Sequence, residues 1–152
     1  MLPARNRVRR VESGVAAVEM ALMTPILLLV LLGTIDFGRN MYSALAVSQA
    51  AGAGAAYGAQ SNGTTSDYSG MEAAATAAGR DLGSGISATA TRYCKCPGNI
   101  VVDCITGNCA SGYGAPQVYV QVVATATFQT LFTYPGIPST IPISRTAIKR
   151  AQ

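Results

Sequence analysis

Residues 15–35, VAAVEMALMTPILLLVLLGTI, are apolar over the length a helix needs to cross a bilayer, and they carry a single ionisable side chain, Glu19. A segment of this kind is either a spanning helix or a secretory signal. A carboxylate held in hydrocarbon costs roughly 2.5–3.5 kcal/mol at mid-span and less near an end. The helix dipole favours an acid in a first turn by only about 0.3–1 kcal/mol. The dipole does not clearly offset the cost, so Glu19 asks for a cationic partner.

Charge placement sets the orientation. The chain has a net charge of +4, which in isolation could point to nucleic acid. Most of it lies in a short arm: residues 1–14 hold Arg5, Arg7, Arg9 and Arg10 against Glu12. Residues 15–152 are almost balanced. A basic arm beside an apolar span keeps an N-terminus in the cytoplasm, and nucleic-acid binding is set aside. Cleavage as an ordinary signal would fall at Ala44-Leu45-Ala46, well beyond the apolar run and after Asp36 and Arg39, so the helix is expected to stay. Pro25 within it reads as a simple bend, tolerated in membrane helices.

Helical character is expected to continue from Val15 to about Ala59. Phe37, Met41 and Leu45 recur at helical spacing, with Ala55 continuing the stripe. Gly54 and Gly58 lie in a small-residue stretch that suits close packing of other structure. Gly52-x-Gly54-x-x-x-Gly58 lacks the spacing and the preceding strand of a dinucleotide site. Beyond it, 61–68 reads as a loop. Ser69 to Glu72 reads as a capping box opening a helix with Met71, Ala75, Ala78 and Leu82 on one face, stopped by Gly83 or Gly85. Residues 86–93 alternate as a strand. Val118, Val120, Val122, Ala124, Ala126 and Phe128 form one face of the clearest strand in the chain. Pro135, Pro138 and Pro142 make 130–142 a loop, and 143–149 closes a small antiparallel sheet. The class is α+β, with a thin core: 49% of residues are hydrophobic but only 7% aromatic, and none is Trp.

No histidine is present, which removes the commonest general base and metal ligand. Asp67, Glu72, Asp81 and Asp103 are scattered, and no nucleophile–base arrangement stands out. Asn62-Gly-Thr64 matches a glycosylation acceptor without further support. Four cysteines, Cys94, Cys96, Cys104 and Cys109, lie on the far side of the span and read as two disulfides. A Cys94–Cys96 bridge would be strained, and the two other pairings stay open. A four-thiolate zinc site fits the spacing poorly, because Cys94 and Cys96 are too close. No metal and no cofactor is expected.

Gly14-Val-Ala-Ala-Val-Glu19-Met20 resembles the processing site of type IV prepilin-like proteins, in which a prepilin peptidase cuts after the glycine and glutamate is the fifth mature residue. With Pro25, the leucine run, Ile35-Asp36-Phe37-Gly38-Arg39 and the alanine-rich continuation, the segment is similar to the TadE-like domain of tight-adherence (Flp) pilus pseudopilins. Residues 143–149 resemble, more weakly, the last strand of such proteins. Two positions depart from the pattern: Met20 stands where an aromatic is usual, and Ala55-Ala56 precede Tyr57-Gly58 where an arginine is common.

The resemblance implies a leader, 1–14, removed between Gly14 and Val15, then an assembly helix, 15–60, and an extracytoplasmic α+β domain, 61–152. It implies that Glu19 pairs with the α-amino group of a neighbouring subunit, which is largely protonated at neutral pH. It also implies partners: the major Flp-type pilin, a second pseudopilin, the prepilin peptidase and the inner-membrane assembly platform. The implied place is the bacterial inner membrane, with the C-terminal domain periplasmic or on the pilus. The competing expectation is a permanently anchored single-pass protein with a disulfide-bonded periplasmic binding domain.

Overall fold

A helix, α1 (Arg5–Gly58), opens the chain, followed by a 3-10 turn at Thr64–Ser66, α2 (Tyr68–Ala78) and the strands β1 (Ile86–Cys96), β2 (Ile100–Val102), β3 (Gln117–Gln129) and β4 (Thr140–Arg150). The computed structural model describes residues 5–82, 85–110 and 114–151, apart from the side chains of 5–13. The strands form one antiparallel sheet in the order β2-β1-β3-β4, so the expected α+β layout is observed. The chain divides into two compact units, 1–39 and 40–152.

Helix α1 starts at Arg5, ten residues earlier than expected, because no proline or glycine interrupts the turns leading into Gly14. Within 40–152 its packing face is not the expected stripe. Ala44, Val47, Ala50, Ala51 and Ala55 are buried, whereas Met41 and Leu45 are exposed. Phe37, in the other unit, is exposed as well. The reason is the closeness of approach. A Cβ added at Gly54 would stand 2.7 Å from the Met71 carbonyl oxygen and 3.1 Å from Val122 Cγ1. Only small residues admit α2 and β3 at that distance, so the large side chains of the helix fall on its other faces. The close-packing role expected of Gly54 and Gly58 is observed.

Two clusters make up the core. One joins Ala44, Val47 and Ala51 to Leu82, Phe128 and Ile143, and the other joins Ala55 to Met71, Ala75, Val120 and Val122. In β3 the expected face is the buried one: Val120, Val122, Ala124 and Phe128 point inward. Few of these side chains are large, in keeping with the composition.

Several local expectations are corrected. The cap of α2 is Asp67, whose Oδ1 accepts from Gly70 N at 2.9 Å, while Ser69 lies in the first turn and donates to Asp67. Glu72 does not close a capping box. Its Oε1 accepts from Ala90 N at 3.0 Å, on the stretch of β1 that β2 leaves unpaired, since β2 covers only residues 94–96. The helix stops at Gly79, where a Cβ would meet Ile86 Cδ1 at 2.7 Å. Leu82 is buried after the helix end, Ala78 is exposed, and Gly83 lies outside the described residues.

Strand β1 runs three residues beyond its expected end and carries Cys94 and Cys96. The short β2 was not expected; a Pro97-Gly98-Asn99 turn with positive φ at Gly98 (86°) and Asn99 (67°) folds it back on β1. Pro142, placed in a loop by the sequence reading, lies in β4 opposite Thr127. An edge strand tolerates proline because its outer amides need no ladder partner.

Candidate functional site

Gly14, Val15 and Glu19 lie on α1, and all three are exposed. Glu19 is four residues past Val15 and so on the same helix face, one turn away. A Cβ at Gly14 would meet nothing within 4 Å, so internal packing does not explain a glycine there. The large side chains from Val15 to Leu31 are exposed around the whole helix. Within the described residues this is the one helix long and apolar enough to cross a membrane.

The helix satisfies its own polar groups along that run. Thr24 Oγ1 donates to the Met20 carbonyl at 2.6 Å, and Thr34 Oγ1 to the Val30 carbonyl at 2.8 Å. Pro25 sits inside the helix and withholds one amide. Internal satisfaction of this kind is what a lipid environment demands. At the end of the run Asp36 is buried and bonded to Arg39, with Nη1 to Oδ1 at 3.2 Å, while Phe37 and Gly38 are exposed.

The cysteines form two bridges, Cys94–Cys104 and Cys96–Cys109, which is one of the two pairings left open. Among the described residues no group of three or more His, Cys, Asp or Glu side chains is arranged to hold a metal ion. The bridged loop is further ordered by Asp103, whose Oδ1 accepts from Thr106 N at 2.7 Å and Ile105 N at 2.8 Å. Those amides, then the Thr106 hydroxyl and the charge of Arg92, hold its carboxyl below the usual range.

Sequence reading missed one polar tie. Tyr57 on α1 donates its hydroxyl to Asp67 Oδ2 at 2.7 Å. That bond, then the Gly70 amide and the Ser69 hydroxyl, hold the Asp67 carboxyl low, and the same bond and charge push the Tyr57 hydroxyl up. The ten-residue separation of the two gives no local signal.

The site is therefore a membrane-length helix with a glycine–glutamate head, joined to a disulfide-bonded α+β body. Residues 14–56 match the family model described as TadE-like protein, the segment on which the resemblance rests and a little over a quarter of the chain. Comparison with curated proteins and with solved structures returned no match.

Proposed function

We propose that this chain is a minor pilin-like (pseudopilin) component needed to assemble a tight-adherence pilus. The observation that carries the reading is the TadE-like match over 14–56, which begins at the glycine of the Gly14–Glu19 pattern and covers the exposed apolar helix. A prepilin peptidase cuts between Gly14 and Val15, so that 1–14 leaves and Val15 becomes the N-terminus. The arginine-rich arm holds that end in the cytoplasm, and the disulfide-bonded body stands outside the inner membrane. Glu19 then lies one turn from a newly charged terminus. In a low-dielectric layer it pairs with the α-amino group of a neighbouring subunit, fixing register between helices. The motif Pro25 with Asp36, Phe37, Gly38 and Arg39 shapes the helix along which pilin and pseudopilin helices pack. The role is structural, without catalysis, and its partners are the major pilin, a second pseudopilin and the assembly platform.

The test is the mature N-terminus. The full chain, tagged at its C-terminus, is produced in bacteria with and without a prepilin peptidase, and its N-terminus is sequenced. Peptidase-dependent appearance of Val15 is the expected result. A terminus that stays at or near Met1 overturns the proposal in favour of a permanently anchored single-pass protein with a periplasmic binding domain. A terminus at Val47 makes it an ordinary secreted protein.

A further inference from the structure

Strand β4 is paired on one side only. The order β2-β1-β3-β4 leaves its other side as an edge 11 residues long. Two hydrogen bonds fix which groups that edge presents. Ala151 N donates to the Val118 carbonyl at 2.9 Å, and Thr130 N to the Ser139 carbonyl at 3.0 Å. Both continue the β3–β4 register, in which Tyr119 faces Arg150 and Gln129 faces Thr140. Bonded and non-bonded residues alternate in an antiparallel pair. The odd-numbered residues of β4 therefore bond to β3, and the even-numbered ones turn their backbone groups outward. The outward amides of Ser144, Thr146, Ile148 and Arg150 have no partner among the described residues. Of the outward carbonyls in that stretch, the one taken is that of Ser144, by the exposed Arg145 side chain at 2.9 Å. The opposite edge of the sheet is treated differently: where β2 stops covering β1, the Glu72 carboxylate accepts from Ala90 N. An open edge is a template for a further strand.

The side chains of β4 say what kind of strand fits. Of the cationic residues in 40–152 (Arg80, Arg92, Lys95, Arg145, Lys149 and Arg150), half lie on β4, which contains no acid. Those three are exposed, and none forms an ion pair among the described residues. A second copy of β4 would bring the cations of both copies to one seam, which like-charge repulsion opposes. An acidic segment meets opposite charge on the same seam. Arg145 and Lys149 lie on one face of the strand, and Ile148, 52% exposed, lies on the other. Acids at alternate positions would sit beside Arg145 and Lys149, and apolar residues between them would cover Ile148. At the end of the strand Lys149 and Arg150 line an open groove of about 430 Å³ with Ala56, Ala59 and Gln60. The groove gives a further acidic side chain a place beside both cations.

We propose that β4 is a docking edge for an extended segment of another protein, in which acidic residues alternate with apolar ones, added to the sheet as a fifth strand. Backbone bonds to the outward groups of Ser144, Thr146, Ile148 and Arg150 hold the segment, and Arg145, Lys149 and Arg150 select its charge. The inference concerns residues 40–152 alone and rests on neither cleavage nor the membrane reading.

The probe is a capped TEVEVET peptide, and its controls are TKVKVKT and a TEVEVET N-methylated at both valines, whose amides would face β4. Amide hydrogen exchange of the full chain in zwitterionic detergent is read residue by residue by NMR. Without peptide, Arg145, Ala147 and Lys149 are expected to exchange slowly and Ser144, Thr146 and Ile148 fast. Millimolar TEVEVET is expected to slow the second set by about ten-fold or more, and both controls to leave it unchanged. Thr146→Pro makes the change that Pro142 already shows to be compatible with an outward position. It is expected to keep Arg145, Ala147 and Lys149 slow and to lose the peptide effect at Ser144 and Ile148; if the variant does not fold, the N-methylated control answers the same question. Fast exchange of the outward amides with TEVEVET present overturns the proposal, since Pro142 and the cations then only guard the edge. Equal protection by TKVKVKT, by the N-methylated peptide or in Thr146→Pro also overturns it, because charge or backbone pairing is then not what recognises the segment. Protection that rises with protein concentration in the absence of peptide makes the occupant a second copy and overturns it as well.

Discussion

Asp67 shows how one carboxylate can tie two helices through three hydrogen bonds. It caps α2 through Gly70, receives the hydroxyl of Ser69, and receives that of Tyr57 from α1. Each bond favours the charged form, so the carboxyl titrates below its ordinary range. A depressed folded-state value means that the stabilisation is complete above the unfolded value, about 3.9, and is lost as pH falls through the folded one. Tyr57 works in the opposite sense: its raised value means that its contribution is lost as pH rises beyond about 10. The fold is expected to weaken below about pH 4, and Asp67→Asn, which keeps a capping side chain, to weaken less steeply there. Thermal midpoints of both proteins at pH 3 and pH 7 check this. Equal acid sensitivity would remove Asp67 from the account, leaving Asp103, whose carboxyl is held low by its own loop amides.

Among the elements, the sheet depends on covalent ties at its thin end. Strand β2 has three residues and is paired only with β1, and its Ile100 and Val101 are exposed, so burial does little to hold it. The bridges Cys94–Cys104 and Cys96–Cys109 span 10 and 13 residues, and they begin on β1 itself. Closing loops of that size in the unfolded chain is worth about 3 kcal/mol each on the chain-entropy estimate. The paired substitution Cys94→Ser with Cys104→Ser is expected to lower stability by about that amount, read from urea unfolding of the full chain in detergent. An unchanged midpoint would show that the loop is held by its turns alone. Farther along the same edge of β1, Glu72 takes the place of a strand partner at Ala90, so α2 contributes to the edge that β2 leaves open.

On the scale of the whole molecule, the two core clusters among the described residues draw on residues from Ala44 onward. The large side chains of the apolar run from Val15 to Leu31 are exposed. In the proposed assembly Glu19 is the residue that makes such a helix choose its neighbours. Glu19→Ala is expected to be cleaved at Gly14 and still inserted, but to be lost from pili and from pilus-associated complexes. Recovery of the variant in those complexes at the wild-type level would end the assembly role of Glu19.

Much of this was readable from composition and periodicity. The apolar run, the α+β class, the period-2 face of β3 and the oxidised cysteines follow from patterns confined to neighbouring residues, and such patterns do not need a fold to be seen. The helix-contact face of α1 did not follow in the same way. Periodicity singled out Phe37, Met41 and Leu45 because they are large, but α2 and β3 approach so closely at Gly54 that the alanine and glycine face is the one buried. The cap of α2, the tie from Tyr57, the partner of Glu72 and the choice between two cysteine pairings share that origin. Each joins residues distant in sequence, and a contact between distant residues is settled by which elements pack together. The spacing of Gly14 and Glu19 is a pattern along one helix that the sequence alone displays, whereas the seating of β3 on the small-residue face of α1 was decided only by the tertiary structure, because it joins residues distant in sequence.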